Sequence, residues 1–111
     1  MDLHVNVTTR PDAVVVALTG ELDLAAADRL LDAVGDVDRH AACVIVDMSG
    51  VRFCDSSGMR WLLQLRRKVT DRGADFYVTG TQGIVAEALS LTGIAEILHS
   101  PPPDRWDHPA R

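Results

Sequence analysis

Nowhere does the sequence approach the ~20 consecutive apolar residues that span a bilayer, and its start, MDLHVNVTTR, has an acid at position 2 and no apolar stretch of a secretory leader. The expected setting is cytoplasmic, with no direct membrane insertion. A basic surplus is missing too: 11 Lys and Arg against 16 Asp and Glu leave a formal net charge of -5. A binder of phosphate backbones needs a basic face, so nucleic acid is not an expected partner. Cysteine is scarce. Cys43 lies inside an apolar run and Cys54 just after one, with no CxxC and no Cys/His pair at metal-ligand spacing, so both read as buried free thiols. His4, His40, His99 and His108 are scattered rather than clustered, and no metal is expected. Internal repeats and a linker that would divide the chain are also lacking.

What the chain does have is enough apolar side chain, 47% of 111 residues, for one compact core. LHVNVT at 3–8 alternates with period two, RPD at 10–12 supplies a turn, and AVVVALTG at 13–20 is apolar at nearly every position, as in a strand covered on both faces. From Asp23, a plausible N-cap, Leu24, Ala27, Leu30, Leu31 and Val34 recur at helical spacing. ACVIVDMSG at 42–50 is a second β-rich run, carried on by VRF. Beyond Asp55, Met59, Leu62, Leu65 or Arg66, and Val69 form an apolar stripe opposite Arg60, Gln64, Arg67, Lys68 and Asp71. Gly73 suits the left-handed position after that helix. FYVTG then reads as a strand, 82–91 as a helix with Ile84, Val85, Ala88 and Leu89 inward, and IAEIL, after Gly93, as a last short strand or turn. Three consecutive prolines begin a tail, SPPPDRWDHPAR, expected to be extended and largely solvated. The order β-β-α-β-α-β-α-(β) predicts an α/β fold with a mixed, mostly parallel sheet of four to five strands.

In such a fold, sites gather where strand ends lead into helices. Two loops there carry polar clusters: TGELD at 19–23 and FCDSSG at 53–58. Asp55, Ser56 and Ser57 are all N-cap types and Gly58 permits close approach, so helix initiation alone accounts for much of the second loop. A serine in a helix's first turn also meets free N–H groups and the positive end of the dipole, so a phosphate of roughly -1.5 to -2 charges is tolerated there. The same placement describes the nucleophile elbow of serine hydrolases, but the fit is poor. Cys54 and Asp55 stand where that motif needs its first glycine, and the downstream pair Asp75 and His99 is of a kind that arises by chance.

TGELD at 19–23, VIVDMSGVRFCDSSGM at 44–59 and SLTGIAEIL at 90–98 occur in an order and spacing that resembles the STAS domains, in particular the anti-sigma factor antagonists of bacteria. The similarity covers about residues 3–99. It implies one STAS domain over 1–99, followed by the proline-rich flexible tail at 100–111. It further implies a module that binds an anti-sigma factor, itself a serine kinase, and so releases a sigma factor for transcription. In that scheme the kinase phosphorylates Ser56, the first serine of DSSG, and a serine phosphatase restores the binding form. Asp55 helps to fix the loop, Gly58 lets the helix approach, and Ser57 is a neighbour. Asp23 comes from the other loop, where Gly20 and Glu21 shape the approach, and the resemblance implies one partner-facing patch of Glu21, Asp23, Asp55, Ser56, Ser57 and Gly58, with Arg60 and Trp61 beside it. The chain is then no enzyme and needs no cofactor, because ATP and magnesium belong to the kinase.

Arg60 and Trp61 depart from the small residues that many relatives carry after DSSG. They read either as contacts that tune partner choice or as a solvated arginine and a tryptophan packed along the helix edge. Val51, Phe53 and Met59 are expected in the core. Trp106 lies in the tail, solvated or docked on the domain or a partner. A monomer or weak dimer fits the acidic balance. The alternative function is a constitutive STAS interaction subunit, of a lipid ABC transporter or a stress-sensing complex.

Overall fold

A computed structural model describes residues 3–26, 30 and 41–98. β1 (His4–Thr9) and β2 (Ala13–Leu22) form the antiparallel hairpin foreseen from RPD, with Val7 opposite Val16 and the Arg10 N–H donating to the Ala13 carbonyl at 2.7 Å. β3 (Cys43–Cys54) lies parallel to β2, and β4 (Asp75–Thr79) parallel to β3, so the sheet runs β1-β2-β3-β4. Between β2 and β3, residues 24–26 and 30 are helical. Ala27, Leu31 and Val34, expected on that helix, lie outside the described residues, as do His40, His99, His108 and the tail with Trp106.

α1 (Ser56–Asp71) follows β3, α2 (Gly83–Leu91) follows β4, and α3 (Ile94–Leu98) comes last. Their apolar sides join one face of the sheet in a single cluster, where Val14, Val46 and Val78 of the strands meet Leu62, Leu89 and Leu98 of the helices. Successive right-handed crossovers in one direction put the helices on that side. The opposite face of the sheet holds a smaller cluster of Ala13, Cys43, Ile45 and Tyr77. β2 and β3 are apolar on both sides for this reason.

The stop of α1 matches the sequence closely. Gly73, at φ 85°, donates to the Thr70 carbonyl at 3.0 Å, and the Ala74 N–H reaches the Val69 carbonyl at 3.2 Å. These two bonds make a Schellman motif, and Val69 and Ala74 are both buried beneath it. The start of α2 is tied to β3: Gln82 spends its side-chain amide on the Ser49 carbonyl at 2.9 Å, and the Ser49 N–H donates to Asp47 Oδ1 at 2.9 Å.

Three expectations are corrected. Residues 94–98 form a helix instead of a strand or turn, because Ile94 and Leu98, four apart, can then both meet the helical side of the core. Ile84 is 65% exposed, since Val85, Ala88 and Leu89 turn the apolar side of α2 away from it. Leu24 is 63% exposed as well, the buried pair behind Asp23 being Ala26 and Leu30.

Candidate functional site

β2 and β3 end side by side, and each runs into a helix start capped by its own aspartate. The Ala26 N–H donates to Asp23 Oδ1 at 3.0 Å, and the Gly58 N–H donates to Asp55 Oδ1 at 3.0 Å. The backbone N–H of Asp55 reaches the Leu22 carbonyl at 3.2 Å, which fastens the two loops together. Both carboxylates satisfy N–H groups that a helix start leaves free.

Gly58 shows how tightly the parts meet. A Cβ there would stand 2.5 Å from the Leu22 carbonyl oxygen, 2.7 Å from Leu22 Cγ and 2.9 Å from Cys54 Sγ. Only a glycine lets the first turn of α1 press onto the end of β2. Ser56 is left on the surface, with Ser57 half-buried behind it. Arg60, one turn on, is exposed, and Glu21 and Asp55 are half-buried. The structure therefore brings Glu21, Asp23, Asp55, Ser56, Ser57 and Arg60 to one end of the molecule.

Two residues expected on the partner-facing patch are not on the surface. Gly58 is buried, and its role is the close approach just described. Trp61 is 1% exposed, because it lies on the inward side of α1 with Leu62 and Leu65. Its indole Nε1 finds no hydrogen-bond acceptor among the described residues. The packed tryptophan is the alternative that holds.

Phe53 is corrected in the other direction. Val51 and Met59 are buried as expected, whereas Phe53 is 44% exposed. Gly20 pairs with Val51 and Glu21 with Phe53, so Arg52 is an extra residue with no counterpart on β2. Such a bulge interrupts the in-out alternation, and Arg52 and Phe53 both face outward. Phe53 and Leu24 thus add exposed apolar surface to the two loops around Ser56. Sequence reasoning missed both, since the bulge depends on register with a strand some thirty positions earlier.

Cys54 sits beneath the site as a thiol, not a thiolate. Burial, and then the charge of Asp55, push it up to about 12. A nucleophilic role needs the thiolate, which this environment suppresses. Among the described residues no group of three His, Cys, Asp or Glu side chains is placed to hold a metal, and no helix is long and apolar enough to cross a membrane.

A profile of the STAS domain matches residues 4–104. The fold is similar to an anti-sigma factor antagonist from Mycobacterium paratuberculosis, at TM-score 0.75 and 23% identity over 94% of this chain and 90% of that one. It is similar to the anti-sigma factor antagonist SpoIIAA in its unphosphorylated form, at TM-score 0.75 and 17% identity over 94% and 93% of the two chains. The phosphorylated form of Bacillus SpoIIAA matches at TM-score 0.69 and 16% identity over 97% and 100%. A sulfate transporter family protein from Wolinella succinogenes matches at TM-score 0.70 and 22% identity over 82% and 75%. At these identities the likeness is one of fold.

Proposed function

The chain belongs to the STAS domain family, and we propose that it acts as a cytoplasmic anti-sigma factor antagonist whose binding is switched by phosphorylation of Ser56. The observation that carries this reading is the placement of Ser56. It is exposed at the first position of α1, directly after the capping Asp55 and beside the end of β2. The partner is an anti-sigma factor with serine kinase activity, which supplies ATP and magnesium. A serine phosphatase reverses the modification, and the chain itself is a substrate rather than an enzyme.

Unmodified, the end bearing Ser56, Leu24 and Phe53 docks on the kinase. Phosphorylation adds roughly -1.5 to -2 charges to a patch that already holds Glu21, Asp23 and Asp55. The positive end of α1 offsets that charge within the domain, so the fold persists. At the interface the phosphate brings repulsion and a desolvation cost, and the complex separates. Likeness to both forms of SpoIIAA supports a fold compatible with either state.

The likeness to a sulfate transporter family protein favours a second reading, a constitutive interaction subunit. Intact-mass analysis of protein from its native cell separates the two. Expected is a phosphate-sized increment that disappears in Ser56→Ala, together with loss of kinase binding in Ser56→Asp. An unmodified chain under both growth and stress, with Ser56→Asp binding its partners normally, would sink the switch.

A further inference from the structure

α1 turns a polar stripe to solvent. Ser56, Arg60 and Gln64 are exposed along it, while Met59, Trp61 and Leu62 are buried on the other side. Ser56 opens the stripe and Arg60 is its next member, four residues on. At that spacing two side chains on a helix are neighbours, with Cβ atoms about 5–6 Å apart. Side chains also lean toward the N-terminus of their own helix, which carries the Arg60 guanidinium back over the first turn.

Nothing competes for this cation. Among the described residues Arg60 takes part in no hydrogen bond or ion pair, whereas Arg67 lies 3.9 Å from Asp71, and Arg52, on the bulge of β3, is already engaged. The first turn of α1 holds no acid, and Asp55, just before it, accepts from the Gly58 N–H. Arg67 and Lys68 stand too far along the same stripe to serve Ser56, about 17 Å up the axis at 1.5 Å per residue. Arg60 is the cation of α1 that a group on Ser56 can reach.

We propose that Arg60 is a positioning residue of the Ser56 switch: once Ser56 is phosphorylated, the Arg60 guanidinium binds the phosphate within the same helix and holds it along α1. This rests on the phosphorylation of Ser56 proposed above. An anion followed by a cation four residues later is the favourable order on a helix, since the anion then sits toward the positive end of the dipole. The guanidinium fork offers paired N–H donors that match two phosphate oxygens. Unmodified, the patch presents Arg60 as a free cation beside Glu21, Asp23 and Asp55. Phosphorylated, it gains the phosphate and loses that cation to the pair. One modification thereby changes two charges that a docking partner meets.

The test uses the full chain with phosphoserine installed at position 56 during synthesis, so that no kinase is needed. Phosphorus NMR follows the second ionisation of the phosphate, near pH ~6, in the otherwise wild-type chain, Arg60→Gln and Arg60→Lys. A guanidinium against the phosphate favours the dianion, so Arg60→Gln is expected to raise that pKa by about 0.5 unit at low salt. Arg60→Lys, which keeps the charge without the fork, falls between the two, and high salt narrows the difference. Glu21, Asp23, Asp55 and the helix dipole act on the phosphate in all three chains alike, so the difference isolates Arg60. Melts give a second reading: phosphorylation should raise the melting temperature of the wild-type chain more than that of Arg60→Gln. An arginine that served the fold alone would lower both forms equally and leave the phosphate titration unmoved. The same phosphate pKa in wild type and Arg60→Gln, or the same gain on phosphorylation, overturns the pairing while Ser56 remains the phosphoacceptor. Absence of the phosphate in the native cell, read by intact mass, defeats the switch itself, so the two failures are told apart.

Discussion

Gly58 and Cys54 meet beneath the first turn of α1, and each owes its role to what it lacks. A Cβ at position 58 would lie within 3 Å of two Leu22 atoms and of Cys54 Sγ. Gly58→Ala is therefore expected to destabilise by about 1–3 kcal/mol, the usual cost of overpacking, and thermal melts should show it. A melting temperature equal to wild type would mean that the end of β2 yields freely. Cys54 lacks charge. Its pKa rises from 9.0 to about 12, so the folded chain holds this proton more tightly than the unfolded chain does. The stability from this group is full below pH 9 and falls as pH climbs toward 12, by about 1.4 kcal/mol per pH unit within that window. Urea midpoints compared on the alkaline side should decline more steeply for wild type than for Cys54→Ala. Parallel curves would remove the thiol as the cause.

The start of α1 is capped by a carboxylate that serves as a hydrogen-bond acceptor. Asp55 Oδ1 accepts from the Gly58 N–H, and no other acid lies in the first turn. Asp55→Ala should cost about 1 kcal/mol by denaturant melt, while Asp55→Asn, which keeps an acceptor, should cost much less. Equal losses would point to the negative charge at the dipole instead. Capping was legible in advance because it is local chemistry: Asp23, Asp55 and Gly73 do what their residue types suggested, and four strands fell where β-branched runs stood. The 94–98 helix was not legible, since five residues, four of them apolar, are too few to tell one period from the other. For Trp61 the choice between contact and packing stayed open because the stripe Met59, Leu62, Leu65, Val69 draws a narrower inward face than the helix has. That face also takes in Gly58 and Trp61. Phe53 depended on a bulge that only strand pairing reveals.

For the whole molecule, burial separates stability from binding. Trp61, Leu62 and Gly58 hold the core, whereas Leu24 and Phe53 remain exposed on the two loops around Ser56. An aromatic left half in water contributes little to folding, but it offers a partner area whose burial is worth more than that of a polar rim. Phe53→Ala is therefore expected to leave the thermal transition close to wild type and to weaken binding to the anti-sigma factor kinase proposed as its partner on the order of tenfold, about 1.4 kcal/mol. Calorimetric titration of both chains against the same kinase, with melts of each chain alone, measures the two effects separately. Weaker binding with an unchanged melt places the interface at the carboxyl ends of β2 and β3. Unchanged binding would move it off this end of the sheet, and the Ser56 switch would then have to act on a surface that the kinase does not touch while bound.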